Sequence, residues 1–522
     1  MNRQTSASAA LIEVAIVGAG FAGLGMGIQL KRAGITSFRI FERAHEIGGC
    51  WRDNVYPGLC CDIPSHLYSF SFEPNPDWSR KFAPGREIHA YLEHCKRKYG
   101  LEAHISYGAE ITDAIYDENR GCWMLKLRSG ESIAARFVVA AQGALAPPRI
   151  PDIPGLETFK GSVMHTARWQ PGFDATGKRV AVLGNAASGV QVIPQLAQRA
   201  AHLTTFQRTA NWIFPRGDHE IPAWRRAMYR WLPGVLRFKR FAIYLEHEVR
   251  YFALKNPQGF MNRVVRYVAR RYLEKEIADP KMREKLWPDY TFGCKRMLIT
   301  DDYYAALSRA NVSLVTDRIE RIEPDGIVTS RGKHVVDAIV LATGFRVQDM
   351  LSFNIIGRAG RSMNDVWKVV PEAYLGVVAT GFPNFFLPGG PNSAHGHTSF
   401  LIVLENHFKY IVQCIQRAQA LHLKSLEVRP QAQAAYNEKL QAQLKNMVWA
   451  GSCRNWYQAS GGRVFTQVPG FAWQYARRLK TPQWQDFFQQ REEAAAASHG
   501  EGAFSEATPV PACARGTGGK GH

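Results

Sequence analysis

The sequence predicts an α/β protein with two Rossmann-like dinucleotide-binding domains and a helical insertion. Two glycine-rich loops carry this prediction, because GAGFAG (18–23) and GNAASG (184–189) each follow a short apolar run and open a segment with helical spacing. The 522 residues are enough for two or three domains with well-buried cores. A composition of 46% hydrophobic and 11% aromatic residues is that of an ordinary globular protein.

The first glycine-rich loop lies inside a predicted βαβ unit. Residues 13–18 (EVAIVG) have the β-branched pattern of a short strand, residues 21–33 have helical spacing, and residues 37–42 (SFRIFE) predict a second strand. A glycine-rich turn between strand and helix is the context in which this motif binds a dinucleotide. The free amides and the positive end of the helix dipole then receive the pyrophosphate.

Four residues of this unit have predicted roles in the nucleotide site. Gly18 permits the tight turn, Gly20 lets the pyrophosphate approach the backbone, and Gly23 lets the helix pack closely on the strand. Glu42 ends the second strand, where a carboxylate is placed to accept hydrogen bonds from ribose hydroxyls. We therefore predict a bound dinucleotide at this loop.

The same pattern recurs around the second loop. Residues 179–184 (RVAVLG) predict a strand, a helix follows to about residue 200, and residues 202–208 (HLTTFQR) predict the next strand. Gly184 and Gly189 keep their places in the motif, whereas Ala186 replaces its middle glycine. A second dinucleotide is predicted at this loop.

Arg208 stands at the end of the following strand, at a position where an acid would repel a 2′-phosphate. A guanidinium instead binds phosphate through paired, charge-assisted hydrogen bonds. The sequence therefore predicts NADPH rather than NADH at the second loop. A surface salt bridge is the alternative interpretation of Arg208.

Later elements indicate that the first domain is discontinuous. Residues 336–344 predict a buried strand, residues 385–390 predict another, and a long helix is predicted over about 399–420. We expect the first domain to comprise 1–146 and 337–492, and the second domain 147–336. A helical insertion is predicted at about 220–288, and the tail 493–522 is expected to be disordered because it lacks apolar periodicity.

The formal charge of +20 is concentrated in the insertion, since residues 216–296 hold 19 Lys and Arg against 9 Asp and Glu. The segments AWRRAMYRW and RVVRYVARRY interleave these cations with aromatic residues. A solvated helical face near a site for an anionic cofactor is one interpretation, and weak peripheral contact with anionic lipid is another. Nucleic-acid binding is not predicted, because no nucleic-acid-binding motif accompanies the charge.

Nine cysteines are scattered along the chain without a CxxC pair or a zinc-like spacing. Reduced packing thiols are therefore predicted, the adjacent Cys60 and Cys61 among them, and no metal site is predicted. No apolar run approaches the length of a spanning helix, and the N-terminal segment is a poor signal peptide. We expect a cytoplasmic protein with no obligate protein partner.

Two longer runs carry the most specific pattern in the chain. Residues 48–62 read GGCWRDNVYPGLCCD and residues 159–169 read FKGSVMHTARW, each after or before one of the two loops. Together with the loops, these runs resemble the type I Baeyer–Villiger monooxygenases, a branch of the flavin-containing monooxygenases, over about 14–482. The resemblance implies a glutathione-reductase-like architecture in which FAD binds the first domain and NADPH the second.

The resemblance also implies which side chains contact the cofactors. On the FAD side these are Gly49, Trp51, Asp62 and Tyr68. Arg208, Thr209 and Lys295 are expected to surround the 2′-phosphate of NADPH. Asn392 lies just before the long helix, whose N-terminus would stabilise negative charge on a reduced flavin, and Trp456 is expected to line the nicotinamide and substrate region.

The implied chemistry centres on Arg296, in GCKRMLITDDYY, with Asp62 as its partner. In such enzymes NADPH reduces the flavin, O2 adds to give a C4a-peroxyflavin, and this anion attacks a ketone carbonyl so that one oxygen atom is inserted to form an ester or lactone. A permanent cation stabilises the anion and the oxyanion that follows. Arg296 is expected to supply this cation and Asp62 to orient it.

His165 matches the family's linker histidine, so a hinge role is favoured over that of a catalytic base. Trp169 separates the chain from relatives that oxidise heteroatoms, whereas Gln170 departs from the usual Pro or Asp. An N- or S-oxygenating enzyme of the same fold is the alternative function. A flavoprotein that binds without oxygenating is a third possibility, supported only by the basic aromatic insertion.

Overall fold

The computed structural model describes residues 11–143, 147–347, 350–451, 453, 455–459 and 461–492. The predicted tail, 493–522, lies outside the described residues. In the first part of the chain the elements are β1 (Leu11–Val17), α1 (Phe21–Arg32), β2 (Phe38–Phe41), α2 (Cys50–Asp53), α3 (Gly85–Lys98), β3 (Ile105–Ser106), β4 (Ile111–Asp117), β5 (Cys122–Leu127) and β6 (Ser132–Ala140).

The middle of the chain contains β7 (Ser162–His165), β8 (Arg179–Leu183), α4 (Gly189–Ala197), β9 (His202–Phe206), β10 (Ile213–Phe214), α5 (Ala223–Trp231), α6 (Pro233–Val249), α7 (Tyr251–Lys255), α8 (Phe260–Glu276), α9 (Pro280–Leu286), β11 (Leu298–Ile299), α10 (Tyr303–Leu307), β12 (Val312–Val315), β13 (Ile319–Glu323), β14 (Gly326–Thr329), β15 (Gly332–Val335) and β16 (Ala338–Leu341). The five helices α5 to α9 lie where the insertion is predicted.

The last part contains β17 (Asn354–Ile356), α11 (Met363–Trp367), β18 (Phe385–Phe386), α12 (Phe400–Ala420), β19 (Leu423–Val428), α13 (Pro430–Leu444), α14 (Ala472–Arg478) and β20 (Phe487–Arg491). Short 3₁₀ helices are Glu102–His104, Leu156–Thr158, Arg358–Gly360, Val448–Ala450 and Trp484–Asp486. The strand predicted over 385–390 is only two residues long, because Pro388 lacks an amide donor and a two-glycine turn follows.

Two sheets with parallel cores organise these elements. The first has the order β17-β4-β5-β6-β1-β2-β3, with β18 beside β6, and the second has the order β12-β9-β8-β16-β7. All pairs of the second sheet are parallel, as are β6 with β1 and β1 with β2. The predicted α/β fold class is therefore confirmed.

The cores follow from the sequence of the central strands. β1 is buried on both faces from Val14 to Val17, which is typical of a parallel strand covered by helices. The largest apolar cluster packs α1, α3 and α12 against one face of the first sheet, and a second cluster lies on its other face. No helix of the described part of the chain is both long and apolar enough to span a bilayer.

The strands of the first sheet come from residues 11–140 and 354–386, and those of the second from residues 162–341. Each sheet carries one glycine-rich loop at the carboxyl end of a central strand, β1 in the first and β8 in the second. In open α/β sheets this edge is where ligands bind. The fold therefore provides a separate binding platform, a sheet with its own glycine-rich loop, for each predicted dinucleotide.

Candidate active site

The first glycine-rich loop has the backbone geometry that the motif requires. Gly18 has φ +104°, and a Cβ added at Gly23 would lie 1.8 Å from the carbonyl oxygen of Gly18. A side chain is therefore excluded at Gly23, where helix and strand are in contact. No side chain caps the first turn of α1, which begins after Gly20 and carries no acidic residue. The free amides of this turn fit a pyrophosphate group.

Gly48 and Gly49, which begin the 48–62 run, lie next to this turn. Gly49 has φ +54°, and a Cβ added there would lie 3.4 Å from the Cα of Gly20. The two backbones approach closely because neither residue has a side chain. The geometry fits the prediction that Gly20 and Gly49 belong to one nucleotide site.

Glu42 ties the two loops together. Its carboxylate accepts hydrogen bonds from the amides of Ala19 (2.8 Å) and Ala44 (3.0 Å), and it pairs with the guanidinium of Arg52 (2.9 Å). Glu42 is buried, so these partners compensate the desolvation of its charge. A contact of Glu42 with a ribose stays a prediction. The ribose hydroxyls would have to bind the same carboxylate as the two amides and the guanidinium.

Trp51 and Tyr68 lie beside the same loop. The indole Nε1 of Trp51 donates a hydrogen bond to the hydroxyl of Tyr68 (3.1 Å), and the two rings meet edge to face at 5.5 Å. The ring of Phe21, the first residue of α1, packs edge to face on Tyr68 at 5.3 Å. These three side chains therefore lie together next to the predicted FAD site, and we call them the aromatic wall.

The second glycine-rich loop repeats the geometry of the first. Gly184 has φ +106°, and a Cβ added at Gly189 would lie 2.5 Å from the carbonyl oxygen of Gly184. Ala186, which replaces the middle glycine, is exposed. The amide of Asn185 donates to the carbonyl oxygen of Thr209 (3.1 Å). This bond joins the loop to the end of β9, where the predicted phosphate-binding residues stand.

Arg208 and Lys295 form a cationic pair at this end of the sheet. Arg208 is exposed, and the ammonium of Lys295 lies 4.5 Å from the ring centroid of Tyr290. Burial lowers the pKa of Lys295 from its ordinary value, and the nearby Arg208 charge lowers it further. Two cations that act on each other in this way form a favourable site for an anion. The arrangement fits a 2′-phosphate.

Asp62 and Arg296, which are 234 residues apart, are in direct contact. Both Nε and Nη2 of Arg296 donate to Oδ2 of Asp62, at 2.9 and 2.6 Å. The Arg296 side chain is 47% exposed and the Asp62 side chain 32%. The negative charge of Asp62 raises the pKa of Arg296 above its already high value, so the guanidinium stays protonated. The structure therefore places a fixed, partly exposed cation beside the 48–62 loop, where FAD is predicted to bind.

The loop at 54–62 also contacts the second sheet through a residue that sequence reasoning did not find. Gln191, on α4, accepts a hydrogen bond from the hydroxyl of Tyr56 (2.8 Å) and donates one to the carbonyl oxygen of Cys60 (3.0 Å). A Cβ added at Gly58 would lie 2.5 Å from the carbonyl oxygen of Gln191. No sequence signal marks this contact, because it depends on how the two sheets meet.

His165 lies at the end of β7, opposite Leu341 at the end of β16. Its side chain is buried, its Nδ1 accepts a hydrogen bond from the amide of Ala167 (3.0 Å), and burial lowers its pKa. A buried imidazole at the end of the edge strand β7 is poorly placed to act as a base on substrate. The hinge role of His165 stays a prediction, and the contacts are compatible with it.

Asn392 and the histidines that follow it are buried before α12. Asn392 has φ +51°, and its amide donates to the carbonyl oxygens of Val464 (3.0 Å) and Gln467 (2.7 Å). Sequence analysis did not single out His395 and His397, whose rings lie 5.3 Å apart. Burial lowers the pKa of both, that of His397 to about 3. Asn392 thus holds a loop, and its cofactor contact stays a prediction.

The predicted reduced state of the cysteines is wrong for one pair. Cys294 and Cys453 form a disulfide that joins Cα atoms 6.3 Å apart. Their separation of 159 residues gives no spacing signal, so only the fold reveals the pair. Cys60 and Cys61 are free, as predicted. The disulfide connects the Arg296 segment to the segment of Trp456, whose side chain is 40% exposed.

Comparison with known proteins first defines the class. Residues 15–226 match the family model described as pyridine nucleotide-disulphide oxidoreductase. Oxidized steroid monooxygenase bound to NADP superposes with a TM-score of 0.82 at 30% identity, covering 92% of this chain and all of the other. Cyclohexanone monooxygenase from Rhodococcus sp. Phi1 bound to NADP⁺ superposes with a TM-score of 0.82 at 28% identity, covering 93% of this chain and all of the other. The chain is thus a monooxygenase with two dinucleotide-binding domains.

Two curated relatives identify the family. A Baeyer–Villiger monooxygenase of Pseudomonas aeruginosa is 41% identical over 480 residues, which span 91% of this chain and 90% of the relative. A Baeyer–Villiger monooxygenase of Streptomyces coelicolor is 39% identical over 476 residues, 90% and 91% of the two chains. The chain therefore belongs to the Baeyer–Villiger monooxygenases, and the predicted family and enzyme class are confirmed.

Proposed function

We propose that this chain uses FAD and NADPH to insert one oxygen atom of O2 beside the carbonyl of a ketone, which yields an ester or lactone, NADP⁺ and water. The family membership supports the reaction, and complexes such as OTEMO with FAD and NADP, with a TM-score of 0.82, support the cofactors. The observation that carries the proposal is the contact of Arg296 with Asp62, at the end of the 48–62 loop.

FAD and NADPH fit the two platforms. The uncapped first turn of α1 and the aromatic wall suit FAD in a domain of 1–146 and 337–492. The second loop and the Arg208–Lys295 pair suit NADPH in a domain of 147–336. When bound, these cofactors supply the hydride and activate O2. The protein contributes the positions of the two nucleotides and the charge between them.

Arg296 has the properties that ketone oxygenation requires of a protein group. Because Asp62 raises its already high pKa, the guanidinium remains a cation at neutral pH. Such a cation stabilises negative charge on the oxygen that attacks the ketone, and afterwards on the carbonyl oxygen of the adduct. Asp62 fixes its orientation through two hydrogen bonds to one carboxylate oxygen.

The test is product analysis of the purified, FAD-loaded enzyme. With NADPH, ¹⁸O2 and a panel of aryl, cyclic, steroid and long-chain ketones, we expect at least one ester or lactone that carries a single ¹⁸O atom. A thioether assayed in parallel separates ketone chemistry from heteroatom oxygenation. Sulfoxide formation with no ester from any ketone would contradict the proposal and favour an N- or S-oxygenating enzyme.

A cytoplasmic location and weak membrane contact of the insertion also stay proposals.

A further inference from the structure

An exposed apolar stripe runs along one face of α6. Phe238 (71% exposed), Phe241 (54%), Leu245 (47%) and Val249 (53%) follow at steps of three and four residues, which places them on one side of the helix. The opposite side is buried through residues such as Leu236, Ile243 and His247. A helix that packs one face on the protein usually turns charged residues outward. The outer face of α6 is instead apolar.

The stripe continues beyond α6 onto the neighbouring element. Phe252 contacts the ring of Phe471 at 5.5 Å, and Phe471 stacks with Trp473 at 6.2 Å. Phe252 and Trp473 are themselves about half exposed. We call this surface, from Phe238 to Trp473, the α6 stripe. Contiguous exposed apolar surface of this kind marks an interaction site.

Cations surround one end of the α6 stripe. An open cavity of about 740 Å³ is lined by Lys255, Arg477 and Arg478, and a second of about 660 Å³ by Arg32, Lys409, Arg477 and Lys480. Trp473 lines both cavities. Among the described residues that line them there is no Asp or Glu. The stripe therefore ends in two basic clefts that lack internal counter-charges.

We propose that the α6 stripe and its basic clefts are a docking surface for an anionic lipid bilayer. An interfacial helix inserts its apolar face into the boundary between headgroups and acyl chains, while neighbouring cations bind anionic headgroups. Trp473, between the two clefts, has the amphipathic ring that is favoured at this boundary. A second copy of the chain is a poor occupant, because two such surfaces would bring like charges together.

Steering of an anionic cofactor does not account for this surface. Cofactor steering needs charge alone, whereas the α6 stripe exposes four large apolar side chains on a single helix. Exposed apolar area is unfavourable in water, and a bilayer boundary removes it from water. The combination of the apolar stripe with cations in clefts lined by no described Asp or Glu therefore distinguishes a lipid surface from a merely basic face.

The test is flotation of the FAD-loaded enzyme with vesicles of phosphatidylcholine alone or mixed with phosphatidylglycerol. We expect binding to the mixed vesicles that weakens as salt rises. Phe238→Gln/Phe241→Gln should weaken binding about tenfold or more. Arg477→Gln/Lys480→Gln should weaken it about fivefold per cation removed.

Matched controls change exposed residues of the same two classes elsewhere on the protein. Val335→Gln/Val369→Gln removes two exposed apolar side chains, and Lys178→Gln/Arg199→Gln removes two exposed cations; both should bind like the unmodified enzyme. FAD content and ketone oxidation in solution should be unchanged in all four variants, so a failure here is distinguishable from a failure of the proposed reaction.

Three results would overturn the proposal. The first is no binding to the mixed vesicles at low salt, and the second is equal loss of binding in the stripe variants and their controls. The third is a dimer, seen by light scattering, that Phe238→Gln/Phe241→Gln converts to a monomer, because the α6 stripe would then be an interface between copies.

Discussion

Substitution of Asp62 isolates the positioning of Arg296. Asp62→Asn keeps the shape of the side chain but removes the charge that accepts two hydrogen bonds at 2.9 and 2.6 Å. Hydrogen bonds to charged groups contribute ~1.5–3 kcal/mol, and the partial exposure of both side chains reduces this value. We expect a loss of about 1–2 kcal/mol in the transition state, which corresponds to roughly 5–30-fold in kcat/KM for the ketone.

The assay compares ester formed with NADPH consumed. In Asp62→Asn the ester yield per NADPH should fall and hydrogen peroxide should rise, while the rate at which NADPH reduces the flavin stays within about twofold. Asp337→Asn is the matched control, because Asp337 pairs with Arg179 at 2.6 and 3.2 Å on the exposed side of the second sheet. If Asp62→Asn and Asp337→Asn both retain full ester yield and kcat/KM, the orienting role of Asp62 is refuted.

Three further predictions follow from separate features of the structure. Arg208→Gln should raise the KM for NADPH about tenfold or more and leave that for NADH unchanged, since the guanidinium is predicted to contact only the 2′-phosphate; equal effects on both would contradict this. Gly23→Ala places a Cβ 1.8 Å from a backbone oxygen, so the variant should lose bound FAD and about 1–3 kcal/mol of stability or more. Gly234→Ala, with open space around it, should do neither. Burial lowers the pKa of His247 to about 4 and that of His397 to about 3, so both histidines bind fewer protons in the folded than in the unfolded protein. The free energy of unfolding should therefore fall as the pH decreases from about 6.5 toward 4, by up to ~1.4 kcal/mol per pH unit for each histidine. A free energy of unfolding that does not change with pH in denaturant titrations would exclude this.

The sequence was most informative where chemistry depends on neighbours along the chain. The two glycine-rich turns, their strands and the start of α12 follow from local spacing, and the positive φ of Gly18 and Gly184 agrees with the turns that the motif demands. The strand predicted over 385–390 is longer than β18, because Leu387 continues the apolar run, whereas Pro388 and the two glycines after it do not continue a strand.

Contacts between distant segments were accessible only through the family resemblance or not at all. The partnership of Asp62 with Arg296 came from the resemblance, and the structure brings these side chains into contact. Gln191 and the disulfide of Cys294 with Cys453 were not predicted, because each depends on how separate segments meet in space. The apolar outer face of α6 was likewise hidden, since periodicity alone does not tell which side of a helix packs on the protein.

The two half-reactions of Arg296→Ala test the central claim most directly. Stopped-flow measurement of flavin reduction by NADPH, followed by product analysis after mixing with O2 and ketone, separates cofactor binding from oxygenation. If the Arg296 cation stabilises the attacking oxygen, flavin reduction persists while ester formation falls by at least about 10²-fold, which corresponds to the loss of ~3–4 kcal/mol of stabilisation. Ester formation at the rate of the unmodified enzyme would contradict the account.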